Sequence, residues 1–115
     1  MGEMKNFDLP GHVTGTSLFL DDLPIGERTL HAAVVDSPSA HGRIKAIRCD
    51  AALMLPGVIR LFTHADIPGE NQIGGLIPDE PLFAEEEVCY RGQPMGLVVA
   101  ESEVTARHAA RLIEI

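Results

Sequence analysis

The sequence has only two cysteines, Cys49 and Cys89, and they form no Cys-x-x-Cys pair. No histidine stands at zinc spacing from either, which argues against a structural zinc site. Their plain reading is two small buried apolar side chains. No two of the five histidines lie four apart on one helix, so there is no metalloprotease pattern. Gly-x-Gly-x-x-Gly, a P-loop and a Gly-x-Ser-x-Gly elbow are missing too, and with them the usual signatures of dinucleotide binding, nucleotide hydrolysis and serine nucleophiles. Basic residues are scarce: nine Lys and Arg face seventeen Asp and Glu, for a net charge of −8. Nucleic acid and anionic membrane surfaces, which need a basic patch, are therefore excluded as expected partners. The plain reading of the acidity is solubility. No apolar run approaches the ~20 residues that span a bilayer. Met1 to Pro10 lacks the apolar core of a signal peptide. A soluble, cytoplasmic protein is expected.

What is present suits one folded domain over residues 1–115. With 45% hydrophobic and 23% charged residues, the chain can bury a core instead of staying disordered. Residues 1–13 hold Pro10-Gly11 and few apolar side chains, and are expected as an extended arm. Thr14-Gly15-Thr16 is a turn signal, followed by the short apolar segment Ser17-Leu18-Phe19-Leu20. Thr29 to Val35 reads as a strand, and Ser37 to Gly42 as a loop. Arg43 to Cys49 alternates as a half-exposed strand, whose Arg43, Lys45 and Arg48 would guard an edge. Asp50 is the expected N-cap of a short helix that Pro56-Gly57 stops. Val58 to Phe62 is the next strand. Thr63 is expected to cap the turn His64-Ala65-Asp66-Ile67.

Residues 70–87 form a long irregular stretch, of a length that is usually functional or in contact with something. The strongest elements come last. Val88 begins a strand, and Arg91-Gly92-Gln93-Pro94 is a turn. Leu97 to Ala100 is an unbroken apolar run that suits a central strand. Ser102 caps a helix, with Thr105 as the weaker candidate, and Ala106, Ala109 and Ala110 give it a small-residue face. Leu112-Ile113-Glu114-Ile115 alternates like a strand that stops half written, which suggests a piece of a longer chain. The order of elements predicts an α+β fold with mixed strand pairing, one main helix and short helical turns.

The side chains offer little chemistry. His31 sits in a strand and reads as a face residue; His108 reads as a solvated helix residue. Glu85-Glu86-Glu87 cannot all point at one cation, and is read as a solvated run. Asp21-Asp22 is turn chemistry. Gly92, Gln93, Pro94 and Gly96 could hold backbone close to a ligand or a neighbouring domain, with a simple turn as the plainer reading. Gln93 is the best polar candidate for reaching across an interface. Ser17, Ser37, Ser39 and Ser102 show no nucleophile context. No catalytic, cofactor-binding or metal-binding residue is assigned.

Several segments together resemble one family. His12-Val-Thr-Gly-Thr-Ser-Leu-Phe-Leu-Asp-Asp-Leu-Pro24 is similar to the opening of the molybdenum-binding subunit of xanthine dehydrogenases and aldehyde oxidases. Phe19 or Leu18 stands where that family usually has Tyr. Thr29-Leu-His-Ala-Ala-Val-Val-Asp-Ser-Pro-Ser-Ala-His41 resembles its next segment. Pro56-Gly-Val-Ile, Thr63-His-Ala-Asp-Ile-Pro-Gly-Glu-Asn71, Asp79-Glu-Pro-Leu82 and Gly92-Gln-Pro through Val98-Val-Ala100 continue in register. The resemblance implies an α/β hammerhead at the start of a molybdopterin-bearing chain.

It also implies a parent that hydroxylates a purine or an aldehyde with oxygen from water, at molybdenum held by molybdopterin. Electrons would leave through [2Fe–2S] clusters to FAD, in partner domains or subunits. The short stretch before His12 fits an arrangement with separate iron–sulfur and flavin subunits. None of the family's pterin-binding or catalytic motifs matches a residue here, so this piece alone is expected to be inactive scaffold, with no cofactor of its own. Expected partners are the downstream molybdenum domains and the iron–sulfur and FAD subunits. The isolated piece is expected to form a homodimer through faces that its parent covers. The alternative is an autonomous binding or dimerisation module, with its function in residues 70–87 or in self-association.

Overall fold

Strand β5 (Pro94–Ala100) is the middle of the fold, lying between β1 (His31–Asp36) and β3 (Val58–Phe62) in a three-stranded sheet of order β1-β5-β3. The computed structural model describes residues 8–115. Met95, Val98 and Ala100 of β5 are buried, while Leu97 and Val99 are half-buried, as an apolar run with cover on both faces requires. Both neighbours run antiparallel to β5. The remaining pair, β2 (Gly42–Arg43) with β4 (Glu87–Val88), is antiparallel as well. The fold is α+β, but every strand pair among the described residues is antiparallel, where mixed pairing was expected. The reason is that one central strand pairs with two that run the same way, and these two never touch each other.

Gly96 marks a close approach inside this sheet. A Cβ there would come within 2.6 Å of the Phe62 carbonyl oxygen, so only glycine lets β5 and β3 pack this tightly. The register slips between Val35 and Asp36, and β5 bulges at Met95. Met95 packs with Ala84 and Val88 in one cluster, which Ile44 and Ile47 border. Val98 joins Val35, Ala52, Ala109 and Ile113 in the other.

The main helix α3 (Glu103–Arg111) packs on β1 and β5. Ser102 caps it as expected, its Oγ accepting from the Thr105 amide at 3.1 Å. Ala106 and Ala109 are fully buried, and their small side chains set the helix close against the sheet. The short helix α2 (Asp50–Leu53) differs from expectation at its start: Cys49 is the N-cap and Asp50 is the first helical residue. The Asp50 carboxylate stands in the first turn, where it favours the helix dipole, instead of bonding as a cap. Gly57, at φ 85°, turns the chain into β3.

Two further expectations are corrected. Of the stretch read as an extended arm, residues 1–7 lie outside the described residues, and Leu9–Thr14 is a helix, α1. Pro10 at its first turn pre-sets helical φ, and Gly15, at φ 71°, caps it through bonds to Gly11 and His12. The Arg43–Cys49 strand shrinks to β2 and an isolated bridge, Arg48 with Glu114. The Ile44 amide bonds to Glu86 at 2.8 Å, and among the described residues no backbone bond from Lys45 to Ile47 extends the ladder. Thr63 is the N-cap of the 3-10 helix His64–Asp66, as expected, and the Asp66 carboxylate accepts from the Thr63 amide at 2.9 Å.

Candidate interaction surface

The histidines do not gather. His12, His41 and His108 are exposed, and the His12 ring lies tilted 6.1 Å from that of Phe19. His31 is half-buried in β1. His64 sits with Nε2 4.0 Å from a Glu85 oxygen, while its buried Nδ1 has no hydrogen-bond partner among the described residues. Glu85, Glu86, Asp21 and Asp22 are exposed. Both cysteines are free; Cys49 is half-buried and Cys89 is exposed, which corrects the reading of both as buried. Cys89 stands beyond the two-residue strand β4, where no element covers it. Among the described residues no three His, Cys, Asp or Glu side chains come together as a metal-binding set.

The turn at Gly92 uses its polar groups internally. Gln93 is 3% exposed, and its Oε1 accepts from the Cys89 amide at 2.7 Å. Its carbonyl accepts from the Ser37 amide, and the Ser37 carbonyl accepts from Gly92, both at 2.9 Å. Gln93 therefore stitches this turn to the end of β1 and does not reach outward as the sequence suggested. Gly92 has φ 85°, which the turn requires. Ser37 Oγ donates to the Ser39 carbonyl at 2.9 Å, and Ser102 is a helix cap, so neither is poised as a nucleophile.

Asn71 is the residue that the sequence reading passed over. Its Nδ2 donates to the Phe83 carbonyl at 2.7 Å, and its Oδ1 accepts from the Phe83 amide at 3.0 Å. One side chain thus replaces a strand neighbour for buried Phe83 and closes the long loop at its base. A lone Asn after Pro68-Gly69 is the only signal in the sequence, and it is a faint one. At the other side of this region Arg60 pairs with Asp66 and lies 4.9 Å over the Phe62 ring. The Thr63 amide, helped by Arg60 and the Thr63 hydroxyl, holds the Asp66 carboxyl below the ordinary carboxylate range.

What the surface offers is apolar area and unpaired backbone. Leu18, Phe19, Leu20 and Ile25 are 71%, 65%, 82% and 70% exposed. Leu9, Val13, Leu23 and Leu30 of the same stretch are exposed as well, so the segment before β1 holds far more uncovered apolar surface than single scattered residues. A groove of about 750 Å³ runs between β1 and α3, and a smaller one of about 160 Å³ lies beside Ser37 and Gly42 to Lys45. Ile115 lines both.

Antiparallel strands with a main helix packed on them, and no reactive groups gathered among the described residues, put the domain in the α+β class. Residues 14–115 match the family model described as aldehyde oxidase and xanthine dehydrogenase, a/b hammerhead domain. The chain belongs to that family as its hammerhead domain. It is 44% identical over 103 residues to Xanthine dehydrogenase 1 of Arabidopsis thaliana, covering 90% of this chain and 8% of that protein. Against Aldehyde oxidase 1 of Bos taurus the identity is 40% over 105 residues, with the same 90% and 8% coverage. Among solved structures, the aldehyde oxidoreductase of Desulfovibrio gigas superposes with a TM-score of 0.84 at 36% identity, over 94% of this chain and 13% of that one. The CO dehydrogenase of Oligotropha carboxidovorans gives 0.80 at 30% identity, over 96% and 14%. The chain thus spans 8% of the length of these two sequence relatives.

Proposed function

We propose that this chain is the hammerhead scaffold of a larger molybdenum hydroxylase of the xanthine dehydrogenase type. One observation carries the reading: a match to the family over residues 14–115 is joined to an uncovered apolar segment, Leu18 to Ile25. The parent oxidises a purine or an aldehyde with water as the oxygen source, and its molybdenum is held by molybdopterin. None of the family's pterin-binding motifs matches a residue of this chain, so this reading gives it no part in holding that group. This domain therefore contributes shape: it holds neighbouring domains in place while the cofactor elsewhere does the chemistry.

Its partners are the downstream molybdenum domains and the iron–sulfur and FAD domains or subunits. No helix among the described residues is long and apolar enough to cross a membrane, and the acidic charge disfavours nucleic acid. A cytoplasmic enzyme fits this reading. Reading the gene past Ile115 and purifying its natural product tests it. A product several hundred residues longer, carrying molybdenum by elemental analysis, is expected, while the 115-residue chain alone neither holds molybdenum nor turns over xanthine. Turnover by the isolated chain, or a natural product that stops at Ile115, overturns the proposal.

A further inference from the structure

The long loop before β4 carries a knob that no described residue covers. Leu76 is fully exposed at its tip, and Ile73 and Ile77 are exposed beside it. The backbone beneath them is fixed. Gln72 Nε2 donates to the Gly74 carbonyl at 3.1 Å and to the Ile77 carbonyl at 3.4 Å. The Ile73 amide donates to the Glu80 carbonyl at 2.8 Å. A Cβ on Gly74 would collide with the Ile77 carbonyl, so glycine alone permits this turn. The Asn71 clasp on Phe83 closes the base. Single exposed leucines are ordinary. Three apolar side chains on a loop already ordered from within are different, because little freedom is left for docking to remove.

The charge around the knob has one sign. From Ile67 to Tyr90 the chain has no Lys, Arg or His, and it carries Glu70, Asp79, Glu80, Glu85, Glu86 and Glu87. Glu70, Asp79 and Glu80 are exposed and form no ion pair among the described residues. A second copy of this chain would set the same acids against them, and nucleic acid or an anionic membrane would repel them. An apolar centre inside a charged rim is the anatomy of a docking patch, and this rim fits a protein surface of opposite charge.

We infer that the knob anchors a second subunit of the parent enzyme, which receives Leu76 and Ile77 in an apolar socket rimmed by Lys and Arg. The inference rests on the scaffold reading above, which supplies the enzyme to which that subunit belongs. A separate chain fits the charge, because a rim of one sign acts on the encounter between diffusing partners. Leu76 is the anchor: it stands at the tip, and its side chain is left wholly to the partner.

Thiol labelling of the natural, assembled enzyme tests this. Gly75 has open space around it and no positive φ, so Gly75→Cys places a reporter beside the anchor. Its alkylation by a maleimide, read by mass spectrometry, is expected to run about 100-fold slower than in an unstructured peptide of the same sequence. Adding Leu76→Ala is expected to speed it about tenfold. Adding Asp79→Lys with Glu80→Lys instead, or raising the salt to about 1 M, is expected to do the same. Chymotrypsin cleavage after Leu76 gives the comparison without a substitution: resistant in the assembled enzyme, cut once the subunits are separated. A long, molybdenum-bearing enzyme in which position 75 reacts as fast as the peptide overturns the socket and leaves the scaffold reading standing. Protection that survives removal of every other subunit overturns the separate partner. Rates unchanged by Leu76→Ala overturn the anchor, and rates unchanged by salt and by the lysine pair overturn the basic rim. A natural product that ends at Ile115 overturns the scaffold reading and this inference with it.

Discussion

Asn71 holds both backbone groups of Phe83, and nothing else in the loop does that task. Asn71→Ala leaves a buried amide and carbonyl without partners, so it is expected to destabilise the domain by about 1–3 kcal/mol, read from the urea midpoint. Asp66 gives a pH-dependent counterpart. Its carboxyl titrates below the ordinary value of 3.8, first because the Thr63 amide donates to it and also because of Arg60. A carboxyl lowered on folding stabilises the protein fully above its unfolded value, and that contribution is lost as the pH falls through the folded value. The difference in Tm between the parent sequence and Asp66→Asn is therefore expected to persist at neutral pH and to vanish in acid below 3.8. A difference that does not change on acidification removes Asp66 as the titrating group.

Among the elements, the seam between α3 and the sheet is the tightest. Ala106 and Ala109 are fully buried. Ala106→Leu pushes the helix off β1 and β5 and is expected to cost about 1–3 kcal/mol by chemical denaturation. This seam was legible in the sequence, because three- and four-residue spacing of small residues after a Ser cap has few other meanings. Strand β3 was readable over Val58–Phe62 for a similar reason: Pro56-Gly57 before it and Thr63 after it punctuate an apolar run. Pairing was not legible, since nothing in Leu97 to Ala100 says which way its neighbours run. The Arg43-to-Cys49 stretch alternates like a strand yet is mostly unpaired, because a period of two records a preference and not the presence of a neighbour. Gln93 misled for a related reason. A polar side chain beside a glycine turn looks free until the Cys89 amide that it accepts from is located in space. The surface was the least readable part, because exposure of Leu18 or Phe19 depends on what fails to pack over them.

At the scale of the whole molecule, the described chain is drawn out. Its radius of gyration is 19.0 Å with a long axis of 58 Å, whereas a compact domain of this length has a radius of about 13 Å. The segment before β1 accounts for this, since α1 buries nothing and the residues after it stay exposed. On the isolated chain such a surface favours association with a second copy. Light scattering of the isolated chain is expected to give twice its 12.4 kDa mass. A clean monomer at high concentration refutes that expectation.

The Asn71 clasp also governs what happens if the backbone is cut. Leu76 is 100% exposed at the tip of the loop, the most inviting place for a protease. A nick there separates β1 and β3 from β5 and α3 in sequence, yet β5 remains wedged between its two neighbours. The Asn71–Phe83 bonds also bridge the gap. The two fragments are expected to travel together on a sizing column and to part only in denaturant, so that this hammerhead behaves as a natural split protein.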